Sequence, residues 1–248
     1  MTPPDTVALL EAGLPGPAWG VFTTRAGGVS CAPYDGLDLA LHVGDDPGAV
    51  RRNRTALASA VDLHPPRLVF AEQVHGAGVA TVRAPAAGPV PGVDALVTAT
   101  PGLGLVVLAA DCLPVLLADA AAGVVGAAHA GRQGLAAGVL PATVQAMVGL
   151  GAAPAQITAV LGPAVCGRCY EVPADLASEV EAQVPGSRST TRQGTNSVDL
   201  AAGADAVLRR LGLQRVARVG GCTLERQDLF SYRRDGRTGR HAGLVQLR

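Results

Sequence analysis

Residues 103–131 read LGLVVLAADCLPVLLADAAAGVVGAAHAG, and this stretch decides the fold. Three apolar runs, 103–110, 115–118 and 124–128, are each bounded by Gly, Pro or Asp, the pattern of strands buried in a core. The turn 119–123 is short enough to close a hairpin, so at least part of the sheet is antiparallel. Asp111-Cys112 interrupts the first and second runs, and His129 ends the third.

Working outward, the same pattern predicts strands at 68–71, 78–82 and 95–98 upstream, and at 157–161, 215–219 and 243–247 downstream. Asp45-Asp46-Pro47 supplies an N-cap followed by a first-turn proline, and Val50, Leu57, Ala58 and Val61 then share one helical face. Further helices are expected at 134–149, 173–184 and 198–211, and the polar stretch 186–196 reads as a mobile surface loop. No repeat or linker divides the chain. Residues 1–248 therefore read as a single domain of α/β (α+β) class, a mixed β-sheet flanked by helices.

Composition narrows the function classes. Of 248 residues, 48% are hydrophobic and only 16% charged, which excludes extensive disorder. A chain of this length buries enough surface to fold without disulfides or a metal, so a metal would serve chemistry. All twenty basic residues are arginine, which removes Schiff-base and P-loop lysines from consideration. They balance twenty acids, leaving no basic excess to draw nucleic acid or an anionic membrane. Residues 1–20 carry Asp5, Glu11 and four prolines without the positive n-region of a secretory leader. The uncharged stretch 133–167 is long enough to span a bilayer, but Pro141, Pro154 and Pro163 break it into core segments. Five cysteines, 31, 112, 166, 169 and 222, favour free thiols or metal ligation over a disulfide framework. The expectation is a cytoplasmic protein, with monomer as the default state.

His75, Cys112 and His129 each stand beside a turn signal where a strand stops, so one sheet edge can gather all three. Two imidazoles and a thiolate form a known zinc set that leaves the fourth position open, the arrangement of catalytic sites. Cys112 and His129 alone would instead make a thiol–imidazole dyad for attack on a carbonyl. A buried thiol with two hydrogen-bonded core histidines is the third reading of the same residues. Cys166 and Cys169 form a C-x-x-C, but no second close cysteine pair accompanies it and Gly162-Pro163 spoils a redox-helix context, so free thiols in a turn are expected. Arg25 and the pair Arg233-Arg234 lie in glycine-bearing loops that suit either an anion clamp or plain solvation.

Together these motifs resemble the bacterial laccase-domain, YfiH-like proteins, once labelled polyphenol oxidases and now described as purine nucleoside phosphorylases. The matching stretches are Thr24-Arg25 with Gly27 to Ser30, His42 to Asp45, Asn53-Arg54, Gln73 to Gly76, Asp94 to Thr98 and Ala110 to Pro114. They continue through His129 to Gly131, Gly162 to Ala164, Tyr170 to Val172, Cys222-Thr223, Ser231 to Arg234 and Gly239-Arg240. The resemblance implies zinc on His75, Cys112 and His129, which are then also the catalytic residues, and substrate or phosphate contacts at Arg25, Ser30, Gln73 and Arg233. It implies phosphorolysis of adenosine, inosine, guanosine and methylthioadenosine, with adenosine deamination as a further activity. A thiol hydrolase and an inactive nucleoside-binding protein stand as alternatives. Two departures are visible. His129-Ala130-Gly131-Arg132-Gln133-Gly134 stands where the family reads His-Ala-Gly-Trp-Arg-Gly, and Asp38 replaces an Asn. The first bears on substrate stacking and anion binding beside the trio. The older oxidase label fails on a count: five histidines, 42, 64, 75, 129 and 241, are too few for a blue-copper centre plus a coupled cluster. A single adventitious copper in the zinc site is the most that copper chemistry could claim.

Overall fold

A computed structural model describes residues 6–248. The expectation that residues 1–20 are no leader falls partly on residues 1–5, which lie outside the described residues.

Two six-stranded sheets form the centre. In the first, the order is Leu9–Glu11, Ala18–Thr23, His241–Leu247, Gly104–Ala109, Leu68–Glu72 and Val90–Pro91. In the second it is Arg215–Arg218, Thr158–Leu161, Leu113–Asp119, Val124–Ala130, Ala95–Thr98 and Val79–Thr81. Both sheets mix parallel and antiparallel pairs, as expected of a mixed α/β architecture. The 119–123 turn closes the expected hairpin, with Leu113 opposite Ala130 and Asp119 opposite Val124.

Two sheets rather than one is the main difference from the sequence reading. Phe22, Leu105, Val107 and Val245 of the first sheet meet Leu96, Leu116, Val125 and Val160 of the second in one apolar layer. The first sheet's other face is covered by helix Pro47–Ala60 through Leu57 and Ala58, and by Val61 just past its end. The second sheet's outer face carries helices Val139–Val148, Ala174–Gln183 and Leu200–Arg210 through Leu140, Val144, Val180 and Leu208. Strands covered on both faces read as unbroken apolar runs, so their period does not say which sheet they join.

Local chemistry explains the element ends. Asp46 caps Pro47–Ala60 by accepting from the Gly48 and Ala49 amides at 2.9 and 3.0 Å. The expected helix 134–149 is instead two, Arg132–Ala136 and Val139–Val148, because Gly138 adopts a left-handed φ of 90° between them. The expected mobile loop 186–196 is a hairpin, Arg188–Thr190 on Asn196–Val198, anchored by Glu181 accepting from the Gly186 and Arg188 amides. Strands Leu9–Glu11 and Ala18–Thr23 were hidden by flanking prolines. No helix among the described residues is long and apolar enough to cross a membrane.

His241 opens the strand His241–Leu247 fully buried, and neither ring nitrogen has a well-formed hydrogen bond among the described residues. Burial pushes its pKa down to about 4 from an ordinary 6.5. The unfolded chain therefore binds the extra proton first, and stability present above pH 6.5 is lost as pH falls towards 4, by about 3 kcal/mol at full effect. Asp38, buried and pushed up to about 6, works in the opposite direction over part of that range. The difference between His241→Leu and wild type isolates the histidine. In chemical denaturation, the variant's stability relative to wild type should rise steadily from pH 7 to pH 4; a constant difference would disprove the assignment.

Candidate active site

The turn between Gly104–Ala109 and Leu113–Asp119 presents Cys112, the adjoining strand Val124–Ala130 carries His129, and His75 follows the end of Leu68–Glu72. Topology thus joins positions far apart in sequence: the candidate ligand atoms of His75, Cys112 and His129 all lie within 4.8 Å of one another. Cys112 Sγ is 3.8 Å from His75 Nε2, and the two imidazoles meet edge to face with centroids 4.9 Å apart. His129 is buried and His75 exposed, so the trio forms a floor open on one side.

One carboxylate organises this floor. Asp94, with no solvent exposure, accepts from His129 Nδ1 at 2.8 Å and from the His75 amide at 3.0 Å through Oδ1. Its Oδ2 accepts from the Gly76 and Val74 amides at 2.7 and 3.2 Å. Wrapping three consecutive amides around one acid places His75 at a left-handed φ of 59°, an uncommon state for a non-glycine residue. The Nδ1 contact turns the opposite nitrogen of His129 towards Cys112, as a carboxylate commonly orients a histidine ligand. Burial disfavours charge here, yet His129 and His75 hold the Cys112 thiol down at about 6. His129 likewise rises to about 9 despite burial, because the Cys112 thiolate and Asp94 surround it. Two aimed imidazoles and a ready thiolate fit a three-ligand metal centre.

Space around the trio is as constrained as charge. A Cβ on Gly131 would stand 2.9 Å from His75 Cδ2, 3.0 Å from Cys112 Sγ and 3.4 Å from His129 Cε1. On Gly134 it would meet the Gly76 carbonyl at 2.8 Å. These glycines let the start of helix Arg132–Ala136 press onto the three candidate ligands.

Above the floor lies a cleft of about 320 Å³, within the usual range for small-molecule sites. Gln73 and Arg233 line it with the trio, whereas Arg25 and Ser30 do not. Arg25 bonds the Asp35 carbonyl and carboxylate and lies over Phe230. Ser30 donates to Asp45 and accepts from Asn53, tying the 25–38 loop to helix Pro47–Ala60. Gln73 spends both ends of its amide on the Leu108 backbone, at 2.7 and 2.8 Å, so it closes the cleft wall as a strand would. Arg233 holds the Glu171 carbonyl at 3.0 Å and lies over the Tyr170 ring, while Arg234 is consumed by the Thr223, Arg226 and Leu229 carbonyls.

The cleft also contains residues to which sequence reasoning gave no role: His42, Tyr170, Tyr232 and Arg240. Arg132 faces it while Gln133 is exposed outside, so the altered pair puts one guanidinium beside the trio. Asp111, with φ 88°, accepts from Thr223 Oγ1 at 2.6 Å and the Arg233 amide at 2.7 Å, which fixes the Arg233 loop over the cleft. Asp38 accepts from the Arg240 amide at 2.8 Å and so positions the neighbouring wall. Asp94 carried a signal only as part of a motif, since an acid before a strand looks like any turn residue. Cys166 and Cys169 are free thiols in a turn, as expected, and Cys222 and Glu225 join them in a second cluster.

The family model described as multi-copper polyphenol oxidoreductase laccase matches residues 20–248. The chain is 56% identical over 227 residues to a purine nucleoside phosphorylase of Streptomyces coelicolor, covering 91% of this chain and 94% of that protein. It is 52% identical over 227 residues to a purine nucleoside phosphorylase of Mycobacterium tuberculosis, covering 92% and 91% respectively. Among solved structures, a Neisseria meningitidis protein of family DUF152 superposes with a TM-score of 0.87 at 41% identity, covering 96% of this chain and 98% of its own. YlmD of Geobacillus stearothermophilus superposes with a TM-score of 0.87 at 34% identity, covering 97% and 96%.

Proposed function

We propose, from the premise that the chain belongs to the multi-copper polyphenol oxidoreductase laccase family, that it is a zinc-dependent purine nucleoside phosphorylase. Its substrates would be adenosine, inosine, guanosine and methylthioadenosine, cleaved by phosphate to the free purine and the corresponding 1-phosphorylated sugar. The observation that carries this reading is the convergence of the trio with Arg132, Arg233 and Arg240 on one nucleoside-sized cleft.

Phosphorolysis breaks the bond from C1′ to N9 and forms one from C1′ to a phosphate oxygen, while the purine leaves with the electron pair and takes up a proton. The co-substrate is an anion that must be held against a sugar, a task for fixed guanidinium groups. Arg233 suits it: among the described residues only its Nη1 has a protein partner, and Tyr170 supports the face of the guanidinium. Tyr232, 60% exposed at the cleft, offers an aromatic surface for the base. His75, Cys112 and His129 would hold the zinc, which when bound would supply Lewis acidity towards an oxygen in the cleft. A multicopper cluster demands more histidines than the cleft offers, since His42, His75 and His129 line it and His241 is buried elsewhere, so copper chemistry is limited to a single ion in place of the zinc.

Product analysis of purified protein with adenosine, with and without phosphate, tests the reading. Adenine and ribose 1-phosphate formed only with phosphate support it; inosine formed without phosphate registers deamination as a second activity of the same cleft. Arg233→Ala should lower kcat/KM at limiting phosphate about 10- to 100-fold, the loss of one or two charge-assisted hydrogen bonds, with metal content unchanged. An unaltered phosphate dependence would remove Arg233 from the anion site.

A second reading has its own observation. Asp94, His129 and Cys112 stand in the order acid, imidazole, thiol, with the thiol pKa near 6, which is the layout of a thiol hydrolase. That enzyme would cleave an amide and keep its activity after exhaustive chelation, whereas the phosphorylase would lose it.

A further inference from the structure

Outside the cleft, Cys166, Cys169, Cys222 and Glu225 bring three sulfurs and a carboxylate oxygen within 4.8 Å of one another. They come from two separate turns with the same spacing. Cys166-Gly-Arg-Cys169 closes with the Cys169 and Tyr170 amides on the Cys166 carbonyl, both at 2.9 Å. Cys222-Thr-Leu-Glu225 closes with the Glu225 and Arg226 amides on the Cys222 carbonyl, at 3.3 and 3.1 Å. The partner pair missing from the sequence is therefore present as C-x-x-E, and the backbone bridge between Ala164 and Cys222 sets the two turns side by side. We propose that Cys166, Cys169, Cys222 and Glu225 form a second, structural zinc site, separate from the catalytic trio and independent of the activity assigned to it.

Four observations support a metal over a chance cluster. The donor set, three thiolates and a carboxylate, is complete for tetrahedral zinc, and closure from the present spread to the sulfur separation of about 3.8 Å in such a site needs only a small contraction. The groups are already linked as a hydrated ion's replacements would be: Cys169 Sγ donates to Glu225 at 3.3 Å, and the Cys166 amide donates to Cys222 Sγ at 3.4 Å. Zinc binding displaces the Cys169 proton that makes the first contact, and the second, an N–H donor on sulfur, suits a thiolate. Three thiolates and a carboxylate around one zinc carry a net charge of −2, and Arg192, ion-paired to Glu225, and Arg168 stand by to balance it. Finally, the turn is held in shape before any ion arrives, since a Cβ on Gly167 would stand 2.7 Å from Asp199 Cβ and from Ser189 Oγ.

The location gives the site a consequence. The first turn runs directly into Tyr170 and Glu171, and the second leads on to Arg233, which shares Asp111 with Thr223 and whose guanidinium contacts both Tyr170 and Glu171. Zinc would clamp together the two segments that form one wall of the cleft.

Metal analysis of the intact protein purified with zinc supplies the test. Two zinc per chain are expected in wild type, one in Cys112→Ala, and one in Cys166→Ser/Cys169→Ser. Cobalt loaded into Cys112→Ala reads the second site without disturbing it: near-ultraviolet thiolate-to-cobalt charge transfer should appear, and adding Cys169→Ser should remove about one third of it. One zinc in wild type with none in Cys112→Ala, and no charge-transfer band with cobalt, would overturn the proposal. An intact mass lower by two hydrogens would do so as well, by making the pair a disulfide.

Discussion

Asp94→Asn is expected to weaken metal binding by the trio about 10- to 100-fold and to lower turnover at least in proportion. The carboxylate serves four donors, the amides of Val74, His75 and Gly76 and Nδ1 of His129, from a position with no solvent exposure. Asparagine keeps one acceptor oxygen and turns an NH₂ group towards donors, which leaves at least one buried N–H unpaired at about 1–3 kcal/mol. If that NH₂ donates to Nδ1, His129 must carry its proton on Nε2, the atom that faces Cys112, and can no longer ligate. Chelator competition and thermal melting would measure the two effects together. A metal affinity within about twofold of wild type would show that Asp94 does not set the histidine tautomer.

Gly131→Ala should be nearly as damaging, for a reason of volume rather than charge. At φ −68° the backbone accepts any residue, so the substitution brings no conformational strain of its own. The added methyl stands 2.9 Å from the His75 ring and 3.0 Å from Cys112 Sγ, both closer than van der Waals contact. The neighbouring atoms are held by Asp94 and by the strands, so relief has to come from spreading the three ligand atoms apart. A misplacement approaching 1 Å at such a site costs on the order of 100-fold in rate, with the global fold preserved. Gly138→Ala is the control. Its Cβ meets nothing within 4 Å but its φ of 90° is left-handed, so it should cost about 1 kcal/mol of stability and leave metal content and kcat untouched. Equal activity losses in the two variants would sink the steric account.

How much of this was legible beforehand depended on whether the deciding signal was local. The 103–131 stretch announced its strands and hairpin because β-branched runs and turn residues act within a few positions. Helix Pro47–Ala60 was readable from its cap and its buried stripe. By contrast, Gly138 divided a helix that periodicity carried through, and Glu181 ordered a hairpin in a stretch whose composition suggested a loop.

The site divides in the same way. His75, Cys112 and His129 were readable as candidates from residue type and turn context, and Arg233 from its loop. Arg25 and Ser30, which carry the same kind of signal, stand outside the cleft, because an arginine beside glycine is written identically whether it faces a ligand or a neighbouring carboxylate.

By itself the sequence determined the mixed α/β class, the order of most elements and the identity of the chemically capable residues, since short-range sterics and apolar periodicity specify these. Tertiary structure alone decided that there are two stacked sheets and that Asp94 aims His129 at Cys112. It also decided that Cys222 and Glu225 complete a cluster with the distant Cys166 and Cys169. The last two outcomes rest on contacts between residues 35 or more positions apart, and all three follow from which faces are buried together, a property no local window of the chain contains.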